Sequence, residues 1–296
     1  MTTELQIGIA YALLAGVLWG LSPLLLKRGI RYTNVSNATL VEQHVAVFLL
    51  AILSVYNGEI SALDFSSRAF WSFFLAGAVG ASFGKVFYYR GIDKVGASKA
   101  TSVKNSSPLL TAILAIFFLG EEVNVFIVAG VLAIIAGIAV LSQAKPTEER
   151  GVGRLRYFLF PIVAALCFGI NPIFKKLGMN AANLPILGAL VTQATALLFM
   201  LLLGRFMGLK PRWERIPAPG LILLILSGFT EALGSMLTFF ALGYGPVALL
   251  SPIWRISPLV TFALAHFTLR GIEVVTLRDG FAAALIVFGV FILSHG

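Results

Sequence analysis

Hydrophobic residues fall in long runs along this chain, and polar residues gather in short breaks between them. A run of ~20 predominantly apolar residues is long enough to cross the hydrocarbon core of a bilayer as a helix. That rule predicts ten spans, near residues 7–26, 36–56, 69–92, 97–119, 124–142, 157–177, 184–207, 218–243, 247–269 and 276–294. The longest polar breaks are SQAKPTEERGVGRLR (142–156) and RFMGLKPRWERIPAP (205–219), which leave no room for a soluble domain. The expected fold class is all-α and integral to the membrane.

The runs repeat. WGLSPLLLKRG (Trp19–Gly29) returns as FGINPIFKKLG (Phe168–Gly178) at an offset of 149 residues. VEQHV at Val41 returns as VTQAT at Val191, and NSSPLLTAILA (Asn105–Ala115) as RISPLVTFALA (Arg255–Ala265), both at an offset of 150. Each half then holds five spans. An odd number forces the second half to enter the membrane from the opposite side, which makes an inverted repeat, with a substrate site expected near the midplane where the repeats meet. The expected division is 1–143 for the first repeat, 144–156 for a basic linker and 157–296 for the second repeat.

Polar residues inside the spans stand out against this background. They are Glu42, Gln43 and His44 in span two, Lys85 in span three, and Lys104, Asn105 and Ser107 in span four. The second half adds Thr192, Gln193 and Thr195, then Glu231, Ser235 and Thr238, then Trp254, Arg255 and Ser257. Glu231, Ser235 and Thr238 share one helical face, as do Thr101, Lys104, Pro108 and Thr111. Lipid cannot satisfy such stripes, so they must face protein or a water-filled cavity. Simpler roles stand beside that one. Lys85 and Lys104 are within snorkelling reach of an interface, Glu42 and Glu231 can be structural partners of the cations, and Gln43 and Gln193 can bridge helices. His44 beside Glu42 can titrate near neutral pH or simply join two helices. Pro23, Pro108, Pro172 and Pro258 form two repeat-related pairs, expected to kink their spans and to serve gating. The glycines of GVLWG and GASFG are expected to let helix backbones approach closely.

Composition narrows the class further. The chain has 296 residues, of which 58% are hydrophobic and 12% charged, about half the charge of a typical soluble domain. A net charge of +9 invites a nucleic-acid partner, but the basic residues sit in short breaks between spans, as membrane anchoring requires. Of 22 Lys and Arg, sixteen were assigned to breaks after odd-numbered spans, three (Arg68, Lys175, Lys176) to breaks after even-numbered ones, and three to span interiors. That bias puts both termini outside the cytoplasm, in an inner or plasma membrane. The N-terminus MTTELQIG has no basic residue, which argues for a retained first helix rather than a signal peptide. Cys167 stands alone in an apolar run, so neither a disulfide framework nor a metal cluster is expected. There is no HExxH or phosphate-binding GxxxxGK[ST] pattern, so neither an enzyme nor a nucleotide-driven pump is expected, and no cofactor.

WGLSPLLLK, GASKATSVKNSSPLLTAILAIFFLGEE and GVLAIIAGIAVLS in the first half resemble an EamA-type repeat of the drug/metabolite transporter superfamily. GPVALLSPIWRISPLVTFALAHF and FGVFILS repeat the pattern less fully, with LRGIE where an LGEE-like exit would stand. The resemblance covers essentially the whole chain. It implies ten helices in two inverted five-helix repeats around a central cavity, and a cargo among amino acids, sugars, nucleotide-sugars, organophosphates and cationic drugs. It also implies that cavity-facing residues of spans four and nine help bind cargo, which carries over to Lys104, Asn105, Trp254 and Arg255. The family is more often drawn with cytoplasmic termini, in conflict with the charge count.

Three cations at depth (Lys85, Lys104, Arg255) stand against two carboxylates (Glu42, Glu231). That slight excess suits a small-molecule cargo bearing a carboxylate or phosphate, with a leftover carboxylate free to meet an ammonium group. Amino acids fit this pattern, and Gln193, Trp19 and Lys85 complete the candidate binding set. Protons are the candidate coupling ion, carried by Glu42, His44 or Glu231. The expected protein is an exporter or exchanger, monomeric or homodimeric, with no nucleic-acid partner. An organophosphate or nucleotide-sugar exchanger and a multidrug exporter are the alternatives within the fold; an intramembrane enzyme and a channel lie outside it.

Overall fold

A computed structural model describes residues 3–95, 100, 103–104, 106–141, 155–204, 215–268 and 277–295. The described helices fall into the ten expected spans. Span one is Thr3–Gly29 and span two Val35–Tyr56. Span three is a composite of Arg68–Leu75, a π-helix Ala76–Gly84 and Lys85–Val95. Span four has helical residues at Ala100, Val103 and Lys104 and then a helix Ser107–Leu119; span five is Val125–Leu141. The second half runs Leu159–Ala181, Pro185–Leu203, Ala218–Tyr244, then Val247–Trp254 with Ser257–Thr268 as span nine, and Leu277–His295. Six of the spans are helices long and apolar enough to cross a membrane, and the remainder are shorter apolar helices.

Local chemistry sets the helix ends. Asn34 caps span two by accepting from Asn37 N–H at 2.8 Å, and Ser67 caps span three by accepting from Phe70 N–H at 3.1 Å. Asn124 does the same for span five through Ile127 N–H at 2.9 Å. Gly120 ends span four in the left-handed region, at φ 64°, where a side chain would be strained. In the turn before span three, the Ser66 hydroxyl and N–H both donate to Asp64 and hold its carboxyl below the usual range.

The packing has an approximate two-fold symmetry. Span one lies along span eight, and its repeat partner, span six, lies along span three. Span two faces its own partner, span seven, and span five faces span ten. The symmetry reaches single hydrogen bonds. Thr111 Oγ1 donates to Gly169 O at 2.8 Å, and Thr261 Oγ1 donates to Gly20 O at 2.8 Å. At Gly20 a Cβ would press on Val260 and Ser257 O, and at Gly169 on Leu110 and Ser107 O, so both glycines are there for close approach. Phe73 and Phe239, both buried, meet edge to face at 5.5 Å between the halves. Phe48, Phe117, Leu202 and Phe281 point outward, more than half exposed, as a lipid-facing surface allows.

Two features depart from the expected smooth helices. The prolines of spans four and nine do not kink continuous helices: each sits in the first turn of a new one, where its missing N–H costs nothing. The preceding chain breaks, with Ser106 N–H on Val103 O and Arg255 N–H on Pro252 O. Pro23 and Pro172, by contrast, lie within the long helices of spans one and six. The second departure is the π-helix of span three. Asn171 of span six donates Nδ2–H to Ala76 O at 2.6 Å, a donor inserted where an α-helical bond would otherwise close. A Cβ on Gly80 would overlap the Asn171 side chain, and a Cβ on Gly77 would overlap the Thr192 carbonyl. Span three therefore widens where spans six and seven press against it.

Candidate functional site

The breaks in spans four and nine border a cavity of about 220 Å³ between the two halves. Lys104 and Pro108 from the first break line it, with Trp254, Arg255 and Ser257 from the second. Lys85 enters from just beyond the π-helix, whose Gly80 and Ala81 also form wall. Span one contributes Trp19, span six Phe168, Asn171, Pro172 and Lys175, span seven Thr192 and Gln193, and span eight Glu231 and Ser235.

Aromatic rings, a hydroxyl and a backbone carbonyl hold three of the cations. Lys104 Nζ lies over the Tyr88 ring at 5.0 Å and the Phe168 ring at 5.9 Å. Lys175 is 5% exposed; its Nζ donates to Thr238 Oγ1 at 3.1 Å and lies 4.8 Å over Phe239 and 5.7 Å over Trp19. The faces of aromatic rings attract a desolvated cation and leave its remaining N–H groups for other acceptors. Arg255 Nη2 donates to Phe168 O at 2.9 Å, a bond from span nine of the second half to the span six backbone. Its Nε and the Trp19 Nε1 are buried without a hydrogen-bond partner among the described residues. Arg255, Lys104, Lys175 and Glu231 all line this one space.

Glu231 is tied to the two-fold axis. Gln43 Nε2 donates to Gln193 Oε1 at 2.9 Å and to Gln193 O at 3.0 Å, and Gln193 Nε2 donates to Glu231 Oε1 at 3.1 Å. Gln193 therefore both bridges spans two and seven and presents Glu231 to the cavity.

Several sequence expectations change here. Glu42 does not reach the cavity wall. It is buried, at 9% exposed, and its Oε1 accepts from Ser22 Oγ at 2.7 Å and from Ser227 Oγ, a knot joining spans one, two and eight. His44 is exposed on the outer side of span two, with Nδ1 2.7 Å from Leu40 O of its own helix, away from the cavity. Asn105, Thr101 and the LRGIE segment lie outside the described residues. Lys175 and Lys176, assigned to a break, are within the span six helix. Lys176 Nζ donates to Leu242 O at 2.6 Å and Gly245 O at 3.0 Å, at the end of span eight. Lys175 lies near the end of the apolar run, and its match at offset 149 is the apolar Leu26, so the repeat gives no sign of a buried cation there.

Two glutamates outside the spans' apolar centres were also missed. Glu121, from LGEE, accepts from Val247 N–H at 2.7 Å and Ala248 N–H at 2.9 Å, capping span nine. Glu59 accepts from Leu187 N–H at 2.8 Å and caps span seven. Each first-half carboxylate completes a second-half helix N-terminus, where orphan donors and the helix dipole both favour an anion.

A discontinuous pair of symmetry-related spans around a central polar cavity defines a class, the multi-pass membrane transporters. The chain belongs to the EamA-like transporter family, whose model matches residues 6–143 and again residues 155–295. An uncharacterized transporter of Clostridium kluyveri is 29% identical over 131 residues, 44% of this chain and 42% of that protein. A chloroplastic WAT1-related protein of Arabidopsis thaliana is 26% identical over 131 residues, 44% of this chain and 31% of that one. The chain thus matches less than half the length of these curated relatives. A solved crystal structure aligns over 96% of this chain and 95% of its own, with a TM-score of 0.77 and 17% identity, a likeness of fold.

Proposed function

We propose that this chain is a secondary transporter, an exporter or exchanger, that moves small carboxylate-bearing metabolites, amino acids among them, by alternating access through the central cavity. The observation that carries the reading is the convergence of Lys104 and Arg255, one from each repeat, on one space of about 220 Å³. Both stand at the breaks from which the helices Ser107–Leu119 and Ser257–Thr268 start. Helix N-termini at such breaks favour the anionic end of a cargo, and a guanidinium adds a planar fork for a carboxylate. Drug-sized ligands occupy pockets of ~300–1,000 Å³, so the cavity volume favours a small metabolite over a nucleotide-sugar or a drug.

The double family match supports a division into repeats 1–143 and 157–296 around the linker 144–156. Protons remain the candidate coupling ion, with Glu231 as the cavity carboxylate and Glu42 as a buried one beside it, since transporters use such groups as relays. The basic residues of the odd-numbered breaks favour termini outside the cytoplasm.

The test is counterflow in proteoliposomes over a panel of amino acids and carboxylates, repeated with Arg255→Ala and Lys104→Ala. Wild-type affinity for the best cargo in both variants would sink the cationic-site reading. Flux that ignores an imposed pH gradient would remove the proton.

A further inference from the structure

The structure changes the charge balance on which a singly charged or zwitterionic cargo rests. Glu42 leaves the cavity, because its carboxylate is occupied by the hydroxyls of Ser22 and Ser227. Lys175 joins it, from within the span six helix. Among the described residues, the lining then carries four cations, Lys85, Lys104, Lys175 and Arg255, against one carboxylate, Glu231. A further donor, the Trp19 indole, is buried there without a partner among the described residues.

Three of these cations, all on the one cavity, are held by two different sets of partners. Lys104 sits beneath the Tyr88 and Phe168 rings, on the side of the span four break. Lys175 sits on the side of spans one and eight, fixed by Thr238 Oγ1 and the rings of Phe239 and Trp19. Arg255 belongs with Lys104, since its Nη2 donates to Phe168 O and Lys104 Nζ lies over the Phe168 ring. Resting on the transporter reading above, we infer that the cargo is a small dianion, with one anionic group on Lys104 and Arg255 and the other on Lys175.

Three arguments converge on this. Buried like charges repel, and four cations against one carboxylate leave an excess of three, which a monoanion lowers to two and a dianion to one. Ring faces hold Lys104 and Lys175 without using up their N–H donors, so both remain able to make charge-assisted bonds, the strong kind. The volume of about 220 Å³ suits a short skeleton, and Lys104, Arg255 and Lys175 all line it. A dicarboxylate and a phosphate ester share this chemistry.

The experiment is counterflow by the full chain in proteoliposomes near neutral pH, with four labelled probes: succinate, phosphoglycolate, butyrate and alanine. The inference expects exchange of succinate or phosphoglycolate to exceed that of butyrate and alanine by about tenfold or more, the worth of one charge-assisted bond. Whichever of these two probes is carried identifies the dicarboxylate or the phosphate ester as the source; both present two anionic ends, phosphoglycolate with up to one charge more than succinate. Lys175→Gln should lose most of that preference and Lys175→Arg should keep it. If Lys175→Gln does not yield folded protein, Thr238→Val, which removes the hydroxyl that fixes the ammonium, takes its place with the same expected loss. Wild-type protein that carries butyrate or alanine as well as the dianions overturns the inference and leaves the proposed function standing. So does a variant that slows all carried probes in equal proportion. Wild-type protein that exchanges none of the four overturns both.

Discussion

Gln43 and Gln193, 150 residues apart in sequence and equivalent in the two repeats, are hydrogen-bonded to each other at 2.9 Å. The bond lies where spans two and seven face one another, so it marks the two-fold relation at its centre. Beyond it, Gln193 holds Glu231. Gln43→Ala and Gln193→Ala should each lower stability by about 1–2 kcal/mol, the cost of leaving buried amide partners unmade. The double variant should fall short of the sum, because both changes break the same bond. Thermal unfolding in detergent measures all three, and strict additivity would mean that the bond is not shared.

Arg255 offers a test of geometry rather than charge. It spans from the break in span nine to Phe168 O of span six while keeping Nε unpartnered. A lysine there keeps the charge but loses the fork. Arg255→Lys should therefore weaken cargo affinity by about tenfold, comparable with Arg255→Ala. Full activity in the lysine variant would show that a point charge suffices.

The carboxylate of Glu121 joins the exit of span four to the start of span nine. Replacing it with Ala should cost about 1 kcal/mol through loss of the cap, and Glu121→Gln should cost less, retaining one acceptor without the charge. A drop in midpoint of thermal unfolding that follows this order checks the assignment.

Gly178 packs against the edge of Phe73, and Gly188 against Phe239 and Phe73. Valine at Gly178 would overlap the Phe73 ring, and overpacking of this kind costs about 1–3 kcal/mol. Gly58, where an added Cβ would meet nothing within 4 Å, provides a contrast in which strain would come from its φ of 77° alone. Expression and melting of Gly178→Val, measured with and without Phe73→Leu to relieve the overlap, distinguish packing from any other role.

Orientation follows from accessible cysteines. On a Cys167→Ala background, Ser66→Cys in the exposed turn before span three should react with an impermeant reagent added outside intact cells. Arg156→Cys, exposed before span six, should react only after permeabilisation. The reverse pattern would place the termini inside and overrule the charge count.

The spans, the repeat and the pairing of the two proline motifs were legible because each leaves a local mark: a run of apolar residues or a recurring word. The break at Arg255 was read as a kink because a proline inside an apolar run looks the same whether it bends a helix or starts one. Glu42 was misplaced because its partners, Ser22 and Ser227, lie 20 and 185 residues away. Lys175 was read as an anchor because only the extension of its helix to Ala181 and the packing of Phe239 carry it inward. The π-helix depends on an asparagine 95 residues from the carbonyl it meets. Contacts of that range have no signature in a single sequence.

The duplicated bonds of Thr111 with Gly169 and Thr261 with Gly20 have an energetic corollary. Were the halves identical, exchanging their conformations would turn the molecule over without changing its free energy, and both sides of the membrane would be served alike. Any standing preference for one side must then come from the places where the halves are not copies. Lys104 against Trp254, and the residue after each, are such places, and so is Glu121 at its cap on span nine. Directionality in this protein is a property of its mismatches.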